Sequence, residues 1–422
     1  MLINDFKGLK LSRLGFGTMR LPVRDGNASD IDEKQVDEMV DYAIANGINY
    51  FDTAYPYHGG MSETVIGRSL SRYPRESYYL ATKYPGHQIS SSYDPAAVFE
   101  EQLKKCGVDY FDFYLLHNVY ENSIQVYEDE RWKIVDYFVE QKRQGRIRYL
   151  GFSCHGEVET LRGFLDYCGD KMEFCQIQLN YLDWTLQKAK EKYELLTERG
   201  IGVWVMEPVR GGRLANLSEA ENARLHSMRP DEKSVAWAFR FLQGLPNVKV
   251  ILSGMSDLTQ MMENVETFRE EKPLTDAEQA VLLEMAEGMK NSIPCTACRY
   301  CCDGCPQGLD IPKLIAAYNE LRFSPAVNVA MRMDALADDK KPSACIGCRK
   351  CTRICPQGID IPDAMKGLAE ELSKLPSWAE ICRQREEAAK AVNGGSAAER
   401  KRVRDVKPDG LSDRKLWTDI RG

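Results

Sequence analysis

Near the C-terminal end of this chain one cysteine pattern is written twice: Cys295, Cys298, Cys301 and Cys305, then Cys345, Cys348, Cys351 and Cys355. Each copy reads C-x2-C-x2-C-x3-C-P and continues Q-G-[L/I]-D-I-P. A C-x2-C-x2-C turn wraps three thiols around one small volume, and a later cysteine followed by proline supplies a fourth. The beginning MLINDFKGLK lacks the basic start and apolar stretch of an export leader. Fourteen cysteines in such a chain argue for metal ligation rather than a disulfide framework.

The spacing resembles that of the two-cluster bacterial ferredoxins, in which the fourth cysteine of one run binds the other cluster. The resemblance implies two 4Fe–4S clusters. One would be held by Cys295, Cys298, Cys301 and Cys355, the other by Cys345, Cys348, Cys351 and Cys305. Paired zinc sites are the alternative, but they use separated C-x2-C pairs rather than two complete runs. Between Cys305 and Cys345 lie 39 residues, far more than paired hairpins require. Residues 312–323, 326–337 and 362–375 read as helices, so a helical ferredoxin-like module is expected.

A chain of 422 residues exceeds what one hydrophobic core supports. Three segments are expected: a barrel over 1–275, the cluster module over 276–375, and a charged extension over 376–422. A net charge of −7 gives no reason to propose nucleic acid as a partner. No apolar run approaches the roughly 20 residues that span a bilayer. Cytoplasmic residence is the expectation.

From residue 10 to 270, short apolar runs alternate with amphipathic stretches. The spans 11–16, 48–53, 78–83, 111–117, 148–153, 174–179, 202–206 and 248–253 read as strands, with helices between them. Residues 36–45, for example, put Val36, Met39, Val40, Tyr42 and Ala43 mostly on one face. The expected fold class is α/β, a parallel (β/α)8 TIM barrel with its site at the strands' C-terminal ends. An open doubly wound sheet would alternate too. Asp52, Lys83, His117, Ser153 and Gln176 fall near the ends of different strands, and a barrel mouth would gather them.

Those polar residues suit carbonyl reduction. A proton must reach the oxygen as hydride reaches the carbon. Tyr57 can give it, although a phenol's reference pKa of about 10 is high for work near neutrality. A lysine cation favours the phenolate, an aspartate keeps that lysine charged and placed, and a histidine can orient or polarise the carbonyl. The order Asp52, Tyr57, Lys83, His117 at successive strand ends resembles the aldo-keto reductases. So do Leu-Gly-Phe-Gly-Thr-Met-Arg-Leu-Pro at residues 14–22, Tyr-Phe-Asp-Thr-Ala-Tyr at 50–55 and Gly-Phe-Ser at 151–153.

That resemblance implies a barrel binding NADP or NAD without a dinucleotide glycine fingerprint, acting on a small-molecule carbonyl or alcohol. Tyr57 would be the acid/base, with Lys83 and Asp52 tuning it and His117 orienting substrate. Ser153 and Gln176 would meet the nicotinamide carboxamide, with Asn180 behind them. Gly17, Thr18 and Met19 follow the first barrel strand, and Gly211 and Gly212 follow the seventh beside the pyrophosphate. Ser253, Gly254, Gln260, Glu263 and Asn264 would line the adenine side. Departures are Cys154 after the serine, Met206 where an aromatic ring commonly stacks, and a stretch at 253–260 without cations for a 2′-phosphate. Arg210 reads as a solvated loop arginine, with contact to an acidic substrate group as the alternative, and Tyr55 as a packing residue at the pocket wall. Cys106, Cys168, Cys175 and Cys382 read as small buried hydrophobes, and Cys302 as an extra thiol.

Hydride carries two electrons and a 4Fe–4S centre takes one, and no flavin signature joins them. Relay of electrons from a redox partner protein, a structural role, and redox sensing all remain open for the clusters. A nucleotide-binding sensor and an electron-transfer protein are the alternatives to an enzyme. Substrate and oligomeric state are not legible.

Overall fold

The computed structural model describes residues 1–289, 293, 295, 299–323, 327–355 and 357–394. Two compact units result: Met1–Leu282, with the described residues from Arg385, and Leu283–Gln384.

The first unit contains strands β1 (Ile3–Phe6), β2 (Leu9–Ser12), β3 (Leu14–Gly17), β4 (Tyr50–Asp52), β5 (Tyr79–Tyr84), β6 (Phe111–Val119), β7 (Ile147–Cys154), β8 (Phe174–Gln178), β9 (Gly202–Met206) and β10 (Val248–Ser253). β3 to β10 pair in parallel and in chain order, and β10 returns to β3, so the sheet closes as the expected barrel. An open sheet is thereby excluded.

Side chains alternate along a strand with period two. Tyr50, Ala81, Leu115, Phe174 and Trp204 belong to one buried interior cluster with Phe113, Val250 and Leu252. Two residues further along the same strands stand Asp52, Lys83, His117, Gln176 and Met206. The polar residues are therefore the next inward layer above a packed apolar floor, at the end where the strands finish. On β7 the floor position is Gly151, and a Cβ there would lie 2.4 Å from the Phe174 carbonyl oxygen. Glycine lets β7 approach β8 and bring Ser153 level with Gln176, its register partner.

The run 11–16 is not one strand. It breaks at Arg13, whose buried guanidinium bonds Gln243 O at 2.6 Å and Glu271 at 2.6 Å. Its first part pairs back on β1 as an antiparallel hairpin. Phe6 and Leu11 of that hairpin join the interior cluster, with Phe6 edge-on to Trp204 at 4.9 Å, and stopper the barrel where the strands begin. Only the opposite end is left for a site.

The surrounding helices follow local rules. Asp32 caps Glu33–Ala45 by accepting from the Gln35 N–H, and Val36, Met39, Val40 and Ala43 are buried at helical spacing. Asp94 caps Pro95–Cys106, and Gly107 ends it in the left-handed region. No described helix is long and apolar enough to cross a membrane.

The second unit is helical, as expected, and internally duplicated. Helices Ile311–Phe323 and Ile361–Ser373 each follow a cysteine run, and each run has a one-turn helix, Tyr300–Asp303 or Lys350–Arg353. Arg299 and Arg349 share a left-handed backbone and the same ion pair, to Asp310 at 3.1 Å and to Asp360 at 3.2 Å. Leu309, Ile311, Leu314, Ile359, Ile361, Met365 and Leu368 form the shared core. The remaining expected helix is shorter than predicted, Val327–Asp334. Of the extension, Trp378–Gly394 is helical, and later residues lie outside the described ones.

Candidate active site and cysteine loops

Lys83 organises the barrel mouth. Its fully buried ammonium donates to Asp52 Oδ1 at 2.5 Å and to Thr53 O at 2.7 Å, and lies 3.5 Å from Tyr57 Oη. Tyr57 comes from the loop after β4 and opens a short turn, Tyr57–Gly60. Its neighbour His58 pins that turn: one ring nitrogen lies 2.6 Å from Ala28 O and the other accepts the Leu21 N–H at 3.2 Å. The His117 ring stands edge-on to Tyr57 at 6.0 Å. All four expected residues meet around one small volume.

The charges are ordered. Burial works to lower the Lys83 pKa, but the Asp52 carboxylate and Tyr57 outweigh it and hold it raised. Lys83 is a cation at neutral pH. Burial lifts Tyr57 above the ordinary phenol value, against the pull of Lys83, so it carries its proton. The lysine therefore moderates a rise rather than producing a depressed pKa. Burial pushes His117 well below the usual histidine range, helped by His87 and Lys83, leaving a neutral imidazole. His117 Nδ1 has no hydrogen-bond partner among the described residues.

Ser153 and Gln176 are register partners across β7 and β8, level with the layer of Asp52, Lys83 and His117. Among the described residues, buried Gln176 Oε1 has no hydrogen-bond partner, and the Ser153 hydroxyl accepts the Asn118 N–H at 2.7 Å and gives its own proton to none of them. That donor and that acceptor fit a carboxamide. Gly211 and Gly212 have φ of 65° and 98°, which bare the backbone of the loop after β9. Met206 is half-buried, and Met19 is exposed at the rim. Thr18 is buried instead, its hydroxyl bonded to Asp52 O at 2.9 Å and near Ser62 at 2.8 Å, so it ties β3 to β4. Asn264 donates to Ser253 Oγ at 3.1 Å, and Glu263 pairs with Lys233 at 2.5 Å. Gln260 donates through its backbone and side chain to Asp257, the cap of Leu258–Thr267.

Three features escaped the sequence reading. Arg20 runs past Gly254 and Gly211 and pairs with Glu207 at 3.5 Å, placing an ion pair over the two glycine sites. Its position after Gly17-Thr-Met was the available signal. His87, from the loop after β5, lies 4.3 Å from His117 ring to ring, and nothing in the sequence marked it. Arg210 is the correction: it is buried, not solvated, and pairs with fully buried Asp183 at 2.8 Å. Asp183 also receives Gln178 and Asn180, so this network fixes the loop carrying Gly211 and Gly212. Asn180 further donates to Glu207 O at 2.9 Å. Tyr55 packs outward on Glu101 at 3.0 Å. Cys106, Cys168, Cys175 and Cys382 are buried, and burial pushes the Cys154 thiol up to about 11.

In the second unit one cavity is lined by Cys305, Cys345, Cys348 and Cys351, with Leu309, Ile346 and Met365. The first run's last cysteine thus joins three of the second run, the exchanged set expected for one cluster. Four thiols facing one cavity fit an iron–sulfur group. Cys295, Cys301, Cys302 and Cys355 pack on the same core, and Cys298 lies outside the described residues.

The Aldo/keto reductase family model matches residues 13–287, and the 4Fe-4S dicluster domain model matches 294–359. The chain is 28% identical over 232 residues to a probable aldo-keto reductase 1 of Glycine max, covering 52% of this chain and 62% of that one. It is 25% identical over 325 residues to an NADH-specific methylglyoxal reductase of Escherichia coli, covering 67% and 97%. A solved aldo-keto reductase of Bacillus halodurans in its holo form superposes with TM-score 0.54 at 26% identity, covering 66% and 93%. The barrel and the cysteine unit together make this chain an oxidoreductase of the aldo/keto reductase family fused to a 4Fe–4S dicluster domain.

Proposed function

We propose that the barrel reduces a small carbonyl compound with NADH, or oxidises the corresponding alcohol, and that the cysteine loops hold two 4Fe–4S clusters exchanging single electrons with a carrier protein. The observation that carries the first part is the meeting of Tyr57, Lys83, Asp52 and neutral His117 one layer above a packed floor.

A bound nicotinamide nucleotide supplies the hydride. The chain's residues handle the oxygen and its proton. His117 donates an N–H to the carbonyl oxygen and fixes its direction, and Tyr57 Oη gives up its proton there. The nearby Lys83 cation stabilises the phenolate left behind, and Asp52 keeps that cation in place. Solvent returns the proton to Tyr57. For nucleotide to enter, the Arg20–Glu207 pair must part. Anaerobic holoprotein offered small aldehydes, methylglyoxal among them, should consume NADH with one alcohol formed per NADH. NADH oxidation without alcohol would contradict the reading.

NADH is preferred to NADPH because the adenine side offers a carboxylate, Asp257, and no cation at 254 or 260. The name of the Escherichia coli relative supports the same choice. Gln260→Arg should tighten NADPH by about tenfold and leave NADH nearly unchanged, since charge-assisted phosphate contacts exceed about 1.4 kcal/mol. Fluorescence titration reads this directly. Unchanged NADPH affinity would place the 2′ position elsewhere.

The cysteine cavity predicts cluster sharing. Cys305→Ser and Cys345→Ser should lose the same cluster, leaving about four irons of about eight and the same remaining paramagnetic signal. Cys295→Ser and Cys355→Ser should lose the other. If Cys305→Ser instead matches Cys295→Ser, each run holds its own cluster.

A further inference from the structure

The two cysteine runs share their ligand spacing, their left-handed arginine and the aspartate that follows, yet the residues between their ligands differ. The first run has Thr296, Tyr300, Asp303 and Gly304 where the second has Ile346, Lys350, Arg353 and Ile354. Ile346 is 62% exposed and Ile354 47%, an unusual display for large apolar side chains. Arg349, Lys350 and Arg353, which lie between them in the sequence, are exposed as well. Lys350 and Arg353 form no ion pair among the described residues, and Asp360 is the one carboxylate of this run. The first run sets one arginine against two aspartates, whereas the second sets two arginines and a lysine against one. Ile346 and Arg349 also line the cavity of Cys305, Cys345, Cys348 and Cys351, so at these positions one layer of side chains separates that cavity from solvent.

We propose that this face is the docking surface for an acidic one-electron carrier protein. The proposal rests on the reading that those four cysteines hold a 4Fe–4S cluster. The chain as a whole carries −7, so a local cationic rim opposes its general field and steers an acidic partner to one place. Two isoleucines inside that rim supply the dry centre of a small interface. A small, charge-guided contact is what transient electron-transfer pairs use, at less than about 1,200 Å². It also brings the partner's redox group against the wall of the cavity formed by Ile346 and Arg349. One electron passes and no atom does, the carrier losing what the cluster gains.

The test uses anaerobic holoprotein, with an acidic flavodoxin and an acidic plant-type 2Fe–2S ferredoxin as immobilised probes. Association is read optically at low and at about physiological ionic strength. Lys350→Glu with Arg353→Glu spares every cysteine and the Arg349–Asp360 pair. Lys366→Glu with Lys374→Glu makes the same charge change on exposed residues elsewhere in the unit. The expected result is association that weakens with salt, at least tenfold weaker for Lys350→Glu/Arg353→Glu at low salt and changed less than about threefold for the control pair. Unaltered visible and paramagnetic spectra in both variants show that the clusters are intact. A wild-type protein without such spectra would refute the cluster reading itself. Equal weakening by both pairs, salt-independent association, or no association with either probe would overturn the docking proposal. So would self-association of the wild type that Lys350→Glu/Arg353→Glu removes, which would assign the face to a second copy.

Discussion

Lys83→Met is expected to cost the barrel about 3–5 kcal/mol and to remove carbonyl turnover, because it strands a buried carboxylate. Asp52 Oδ2 already lacks a hydrogen-bond partner among the described residues, and Oδ1 depends on Lys83. Methionine replaces most of the lysine's bulk, so lost packing is the smaller part of the cost. Burial already presses the Asp52 pKa upward. Without the cation the carboxyl takes up a proton more readily in the folded state than in the unfolded one. The deficit should therefore narrow as pH falls below neutrality. Adding Asp52→Asn should recover much of the stability and none of the turnover. Chemical unfolding of the single and double variants, beside kcat/KM, checks both halves. A single variant as stable as the wild type would mean that the pair is not buried as described.

Tyr57→Phe is expected to lower kcat by about 10²–10⁴, the span of general acid–base catalysis. Its affinity for NADH should stay within about twofold, which is about 0.4 kcal/mol. Among the described residues the hydroxyl's one hydrogen-bonded neighbour is Lys83 at 3.5 Å, so its loss should leave folding nearly unchanged. The pH profile adds a sign. Burial raises the phenol above its ordinary value, and the protonated form is the acid. Wild-type reduction should therefore hold through neutrality and fall only on the alkaline side. The residual rate of Tyr57→Phe should lack that alkaline fall. A kcat within threefold of wild type would move the proton donor to another residue.

What the sequence disclosed depended on how local each determinant was. Ligand spacing in a cysteine run is a property of ten residues, and the helices of the second unit announce themselves through apolar periodicity such as Ile361, Ala364, Met365 and Leu368. Strand alternation likewise lies within a few residues, so Asp52, Lys83 and His117 were readable as falling near the ends of different strands, though the apolar floor beneath them was not. The hairpin at Ile3–Ser12 was not readable. Residues 11–16 read as one strand, and the break at Arg13 goes with its bonds to Gln243 and Glu271, more than two hundred residues away. Arg210 failed for the same reason, since Asp183 sits 27 positions upstream, at the start of the short helix Asp183–Leu186. His87 reaches His117 through a loop whose course no period encodes. For Thr18 the motif suggested a nucleotide contact and gave no sign of the buried hydroxyl contacts with Asp52 O and Ser62, which arise only when β3 and β4 lie side by side.

The measurement that most directly tests the barrel account follows deuterium from [4-²H]NADH into product, for wild type and Tyr57→Phe under anaerobic conditions. Mass spectrometry should find the label on the former carbonyl carbon of the alcohol, transferred from one face of the nicotinamide. Tyr57→Phe, still binding NADH, should transfer almost none in the same time. Alcohol without deuterium, or NADH that bleaches the clusters while no label reaches any product, would contradict hydride transfer at this site.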